Sequence, residues 1–418
     1  MRNGEREMET QVNSIQTYLP QKNHIQPSSV SFGKIGQYWH TIRYLRPKQV
    51  WHQISNRFLP HRLTDTLPIR SSQVEPLSLA RGISRPETCL GQSRFRFLNR
   101  EHNLNWLTPG LPHLWHYNLH YFDYLHQSSM DRHTGLQLIK NWIQEHPVNR
   151  AGVGWEPYPL SLRLVNWIKF CSPEESLPED ILQSLCLQAA NLRNQVEYHL
   201  LGNHLFSNGK ALWFAGVFLK DEELTCLGRK IVLNELKEQF LPDGGHFELS
   251  PMYHAILLED VLDLINLCQS QKHISDRKAL SKLTDTAGRA LAWLEGIVGE
   301  EGRIPLLNDS AHGVAASFKD IQAYAQKLDV KSCQSICKTV LGNWEGYNLS
   351  GYRVLSDGPM RLIFDAARLG PEYLPGHAHC DMLAILLDFE GKSIFTDTSV
   401  YEYEETRRRA YSRGTAAH

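Results

Sequence analysis

The chain has no run of about 18 apolar residues, no apolar leader and almost no net charge, and each absence removes a class of protein. Without such a run, no segment is predicted to cross a membrane as a helix. The opening stretch MRNGEREMETQVNSIQTYLPQ is polar and lacks the apolar centre of a secretory signal, so the expectation is a cytoplasmic protein, with a periplasmic or secreted one as the alternative. Lys and Arg number 44 against 45 Asp and Glu, a formal net charge of -1, which gives no global attraction to nucleic acid. The locally basic RPKQVWHQISNRFLPHR near residue 50 reads as a solvated helix face. Cysteine is sparse: Cys89, Cys171, Cys186, Cys226, Cys268, Cys333, Cys337 and Cys380 form no CxxC, and several sit in apolar helical runs such as SLCLQAA and LINLCQ. Scattered thiols of this kind fit a reducing compartment rather than a disulfide framework.

What is present is enough for a sizeable core. With 418 residues, 42% of them hydrophobic, the chain has room for two or three domains. Residues 1–35 are polar and aperiodic and read as a disordered or loosely docked arm. Residues 36–112 begin with short amphipathic helices and continue irregularly, with FRFLN a possible strand. Residues 113–344 are almost wholly helical: HLWHYNLHYFDYLHQ, GLQLIKNWIQEH, LSLRLVNWIKFC, PEDILQSLCLQAANLRNQVEYHL, LFSNGKALWFAGVFL, DEELTCLGRKIVLNELKEQF, AILLEDVLDLINLCQ and ALSKLTDTAGRALAWLEGIV repeat apolar positions at i, i+3, i+4 and i+7. The stretches have similar lengths but no fixed sequence period, which favours a closed toroid over a regular repeat array. Over residues 345–418 the period drops to two in GYRVLS, MRLIFDA, LAILLDFE and KSIFTDTS, with FEGKS a hairpin. The fold class expected is therefore a multidomain α+β protein: an incomplete (α/α) toroid followed by an antiparallel β-sheet domain. That domain reads as truncated, because its last edge is open.

Two stretches concentrate polar groups. In LGNHLFSNGKALWF, Asn203 and His204 begin a helix with Asn208 one turn on; Asn203 also suits a plain N-cap. DGGHFELSPMYH places His246, Glu248, Tyr253 and His254 at one loop-to-helix junction, rich in groups that transfer protons. A third stretch, GHAHCDMLAILLDFEGKSIFTDTSVYEYE, holds His377, His379, Asp381 and Asp397, and the chain ends RGTAAH at His418.

Taken as blocks, GNHLFSNGKALWFAG, LPDGGHFELSPMYHAILLEDVLDL and the third stretch resemble the heparinase II/III-type polysaccharide lyases, and LWHYNLHYFDYL is similar to the aromatic segment that precedes their toroid. The resemblance runs in consistent order over residues 36–418. It implies an (α/α) toroid, a β-domain and a cleft between them, with β-elimination at uronic acids of acidic polysaccharides such as heparan sulfate or alginate. It further implies Asn203 as the group that binds the uronate carboxylate and Tyr253 as an acid that can turn base once deprotonated. His204 and His377 become base or carboxylate contacts, and Tyr411 a second tyrosine at the cleft. His254, Glu248 and Arg413 are candidate substrate contacts. His379, Asp397 and His418 become ligands of a structural Zn²⁺ with an open fourth position, and Asp381 an alternative ligand or a partner orienting a histidine. Two other readings stand beside the lyase. One is a non-catalytic polysaccharide-binding protein in exopolysaccharide assembly. The other is a glycoside hydrolase using carboxylates such as Glu248 and Asp243, against which the Asn, His and Tyr clustering weighs. Arg163, Arg193 and Arg407 to Arg409 are candidate anion contacts.

Overall fold

In a computed structural model the described residues are 39, 42–59, 62–65, 74–91, 93–104, 106, 110–148, 152–173, 176–271, 276–299, 302–333, 350–404 and 406–418. The arm expected over residues 1–35, Cys337 and the passage from helices to strands near residue 345 lie outside them. Met1–Tyr44 is a unit of its own, and Leu45–His418 forms a second unit that carries every element named here.

The helices are α1 (Pro47–Phe58), α2 (His113–Tyr121), α3 (Arg132–Glu145), α4 (Pro157–Cys171), α5 (Glu179–Asn194), α6 (Gly202–Phe218), α7 (Glu222–Gln239), α8 (Pro251–Ser270), α9 (Arg277–Ile297) and α10 (Phe318–Lys327). A hairpin of β1 (Arg94–Phe97) and β2 (Arg100–Asn103) realises the FRFLN strand. Helix starts follow the caps written in the sequence. The side chains of Asp131, Asp221, Ser250, Asp276 and Ser317 each accept the N–H three residues on, opening α3, α7, α8, α9 and α10. Each cap is worth about 1 kcal/mol.

Burial sorts the helices into two layers. On α7 the buried positions Leu224, Gly228, Ile231, Val232, Glu235, Leu236 and Gln239 form one stripe, as on a helix with a wet side. On α6 and α8 nearly every position is buried, as expected of helices packed all round. The backbones of α6 and α7 touch at Gly228, where a Cβ would stand 2.3 Å from the Trp213 nitrogen and 2.6 Å from the Gly209 oxygen. Result: a toroid-like helical core.

Ion pairs fasten the inner helices to one another. Lys210 of α6 lies 2.6 Å from both Asp260 and Asp263 of α8, and Asp263 also takes Lys169 of α4 at 2.9 Å and the Tyr324 hydroxyl of α10 at 2.9 Å. These contacts fix the rotation of α6 against α8, on which the site below depends.

A four-stranded antiparallel sheet follows, in the order β3 (Tyr352–Asp357), β4 (Met360–Asp365), β5 (Ile385–Phe389), β6 (Lys392–Phe395); it does not close into a barrel. Cross-strand register places Tyr352 opposite Asp365 and Ile363 opposite Leu386, all buried on the inner face. The outer face carries Leu355, Met360, Ile385, Phe389 and Phe395, all exposed. The sheet is tied to the helices by Trp293 donating to the Ser350 hydroxyl at 2.8 Å and by Tyr352 donating to the Leu249 carbonyl at 2.5 Å. The short helix α11 (Arg407–Ser412) comes after β6.

Candidate active site

The site starts from an irregular turn. Leu201 has φ 65° and ψ −154°, and Gly202, the first residue of α6, has φ 55°. A side chain at Gly202 would collide, since its Cβ would stand 2.7 Å from Leu374 Cδ2 and 3.0 Å from Glu248 Oε1. Leu201 therefore takes the N-cap place, and Asn203 lies inside the first turn with its side chain free for another task. The Asn203 side chain faces Tyr158 of α4 and draws the phenol's pKa down against the burial that raises it.

His204 is held on two sides. Its Nδ1 meets Glu197 Oε1 at 3.0 Å, and its ring lies on Tyr158 with centroids 4.3 Å apart. Glu197 is buried and is itself clamped: Asn208 Nδ2 donates to its Oε2 at 3.0 Å, and the Glu197 N–H donates to Asn208 Oδ1 at 2.8 Å.

Tyr253 enters from the first turn of α8, which Ser250 caps. Its ring stacks on His377 with centroids 3.9 Å apart. Burial, then Tyr403, Tyr158, Asp309 and Glu248, raise the Tyr253 phenol well above its ordinary value. The nearby Arg409 guanidinium pulls the other way without overcoming them, so the phenol keeps its proton at neutral pH and is built as a donor.

The hub of the arrangement is Asp309, fully buried in the loop LLNDSAHG. A carboxylate only accepts, and Asp309 accepts four times: from His377 Nδ1 at 2.9 Å, His379 Nε2 at 2.6 Å, Arg409 NH2 at 2.6 Å and Arg409 NH1. Despite its burial, these donors hold its pKa well below the usual carboxylate range. The other ring nitrogen of His377 lies 3.6 Å from Glu248 Oε2. Glu248 is buried, and neither of its oxygens has a hydrogen-bond partner. Burial raises its pKa against the pull of His377, His204 and the Asn203 backbone N–H. Asn203, His204, Glu248, Tyr253 and His377 are thus brought together, and Asp309, Glu197, Tyr158 and Tyr403 join them without having been singled out from the sequence.

Other expected site residues lie elsewhere or act differently. His254 is fully buried, its Nε2 at 3.0 Å from the Ala290 carbonyl and its ring on Trp293, and burial lowers its pKa to about 4. It packs α8 against α9. Arg413 donates to the carbonyls of Ala378 at 2.9 Å and Pro375 at 3.1 Å, fastening the loop that carries His377. Tyr411 is 65% exposed on α11, whereas Tyr403 is the tyrosine near enough to help raise the Tyr253 phenol. His246 Nε2 meets Gln239 Oε1 at 3.0 Å in the core. Asp243 accepts from Ser350 N at 2.9 Å and Gly245 N at 3.1 Å, which commits it to the turn. Arg163 is buried over the Trp142 ring, Arg193 pairs with Glu223 at 2.8 Å, Arg408 donates to the Tyr401 hydroxyl at 2.9 Å, and Arg409 is bound to Asp309.

The zinc expectation is corrected. Among the described residues, no group of three or more His, Cys, Asp or Glu side chains is arranged to hold a metal ion. The three expected ligands are engaged pairwise instead: His379 with Asp309 at 2.6 Å, and His418 Nδ1 with Asp397 Oδ2 at 2.6 Å. The other Asp397 oxygen accepts Ser399 N at 2.7 Å, and Asp381 accepts Asn308 N at 2.7 Å. Carboxylate–imidazole contacts and backbone N–H groups take up this donor set. Among the described residues, no helix is long and apolar enough to cross a membrane.

Comparison with known proteins bears on the fold and the family. The chain is 24% identical over 311 residues to heparin-sulfate lyase of Bacteroides thetaiotaomicron, covering 64% of this chain and 44% of that protein. It therefore spans less than half the length of this curated relative. Among solved structures, heparinase III is similar at 18% identity with a TM-score of 0.58, covering 93% of this chain and 69% of that one. A mutant heparan sulfate lyase from Pedobacter heparinus matches at 18% identity and a TM-score of 0.50, covering 77% and 57%. At these identities the likeness speaks for the fold. The heparinase II/III N-terminus profile matches residues 115–330 and the heparinase II/III-like C-terminal profile matches residues 344–418. The chain belongs to the heparinase II/III-like family, a family of lyases acting on polysaccharides.

Proposed function

We propose that this chain cleaves a uronate-containing acidic polysaccharide by β-elimination. The observation that carries the reading is the convergence of an amide, two carboxylate-held imidazoles and a protonated phenol at Asn203, His204, His377 and Tyr253. In elimination, charge builds on the C6 carboxylate as the C5 proton leaves, so donors aimed there lower the barrier. The Asn203 amide supplies a neutral donor, and the His377 ring, anchored by Asp309, packs against the Tyr253 phenol and holds it in place. His204 Nε2 takes the C5 proton, the C5–H electrons form the C4–C5 double bond, and the C4–O4 bond breaks. Tyr253 gives its proton to the departing O4, a role suited to a phenol raised above its ordinary value. Proton return from the His204 imidazolium, through water, restores both groups.

The names of the relatives put heparan sulfate and heparin first among candidate substrates. The test is to incubate the purified chain with a panel of uronate polymers and follow the ultraviolet absorbance of the unsaturated uronate product. Absorbance rising with at least one polymer supports elimination. New reducing ends without absorbance would point to hydrolysis, and retained binding without either would point to a binding protein.

A further inference from the structure

We infer that Glu197 is the positioning residue of His204, fixing its tautomer and stabilising the cation it becomes. The inference rests on the lyase reading and deepens it. Glu197 lies in the turn between α5 and α6, buried, with its carboxylate oxygens divided between His204 Nδ1 at 3.0 Å and Asn208 Nδ2 at 3.0 Å. An ionised carboxylate only accepts, so the imidazole proton sits on Nδ1 and the Nε2 lone pair is left to accept a proton. Asn208 makes the geometry stiff: its Oδ1 accepts the Glu197 N–H at 2.8 Å, and its Nδ2 also reaches the Ser161 hydroxyl at 3.0 Å. Glu197 and His204 are therefore tied to the same helix, α6, and move together.

The two histidines of the site differ in the charge behind them. Asp309, behind His377, is shared with His379 and the Arg409 guanidinium, which already neutralises it. Among the described residues, Glu197 pairs with no cation other than His204. Burying a carboxylate without a fixed counter-charge is costly, and the arrangement recovers that cost when His204 gains a proton beside it. The carboxylate is placed to stabilise the imidazolium formed in the elimination step, which makes His204 rather than His377 the proton acceptor. The titratable groups facing His204 are Glu197 from the preceding turn, Tyr158 from α4 and Glu248 from the loop before α8.

The test uses Glu197→Gln, which keeps an acceptor oxygen but removes the charge, and Glu197→Asp, which keeps the charge. Glu197→Gln should lower kcat roughly tenfold or more with little change in KM, and should move the acidic limb of kcat/KM to lower pH; Glu197→Asp should restore the limb. A merely structural role would leave the limb in place. Nitrogen NMR of labelled histidine in the unmodified chain should find His204 as the Nδ1-protonated tautomer, a readout independent of catalysis. An Nε2-protonated His204, or a Glu197→Gln chain with unchanged kcat and pH profile, would overturn the inference. If no uronate polymer is cleaved, the lyase reading fails, and the NMR measurement still decides the role of Glu197.

Discussion

Replacing Lys210 by Met removes the cation that joins α6 to α8, and the structure sets the size and pH dependence of the effect. Lys210 Nζ stands 2.6 Å from Asp260 and 2.6 Å from Asp263. At an effective dielectric of about 20, each contact amounts to about 6 kcal/mol of gross attraction, most of it offset by desolvation. Removing one partner leaves uncompensated charge, at a cost of about 3–5 kcal/mol. The two aspartates share that cost unequally. Asp263 retains Lys169 at 2.9 Å and the Tyr324 hydroxyl at 2.9 Å, while Asp260 loses its ion-pair partner. Burial already raises Asp260 above its ordinary value of 3.8, and without Lys210 it rises further. The folded variant then binds a proton that the unfolded chain releases, so its stability falls as pH rises from the ordinary carboxylate value to the raised one. The gap between the two proteins is accordingly small in acid and widens toward neutral pH. Urea unfolding followed by circular dichroism, at about pH 5 and about pH 8, measures it. A deficit of equal size at both values, or none at about pH 8, would refute the reasoning. Because Asn203 and His204 stand on α6 and Tyr253 on α8, the same variant should lose activity along with stability.

Asp309→Asn leaves Arg409, 5% exposed, without its counter-charge and weakens the anchors of both histidines, so thermal unfolding should report a loss of about 3–5 kcal/mol and turnover should fall with it. A variant with the melting temperature of the unmodified chain would show that Asp309 is not the hub. Gly202→Ala forces a Cβ to within 2.7 Å of Leu374 at φ 55°, and should cost about 1–2 kcal/mol by chemical denaturation, against a null effect if the turn can relax.

Much of this molecule is legible in its sequence where a period or a block of residues carries the signal. The helices α3 to α9 follow a 3.6-residue apolar pattern, and β3 to β6 fall on the four alternating segments read as strands. The gathering of Asn203, Tyr253 and His377, from three distant segments, was visible only through family-like blocks. Asp309 was not, because NDSAHG is a loop without periodicity and its role is defined by four donors brought from elsewhere in the chain. Glu197 was hidden differently: NQVEYHL continues the apolar pattern of the preceding helix, yet α5 ends at Asn194 and the turn delivers Glu197 to His204. HLWHYNLHYFDYLHQ similarly reads as one helix but breaks at Phe122, whose φ is 62°. The zinc set failed because sequence order shows which polar residues are present but not which of them neutralise each other first.

The most direct test of the account is the formation of unsaturated uronate by the unmodified chain and by its Tyr253→Phe variant on the same polymer. The account predicts rising ultraviolet absorbance for the first and a loss of about a hundredfold or more for the second, with polymer binding retained. Absorbance that persists in Tyr253→Phe, or reducing ends released by either protein without absorbance, would contradict it.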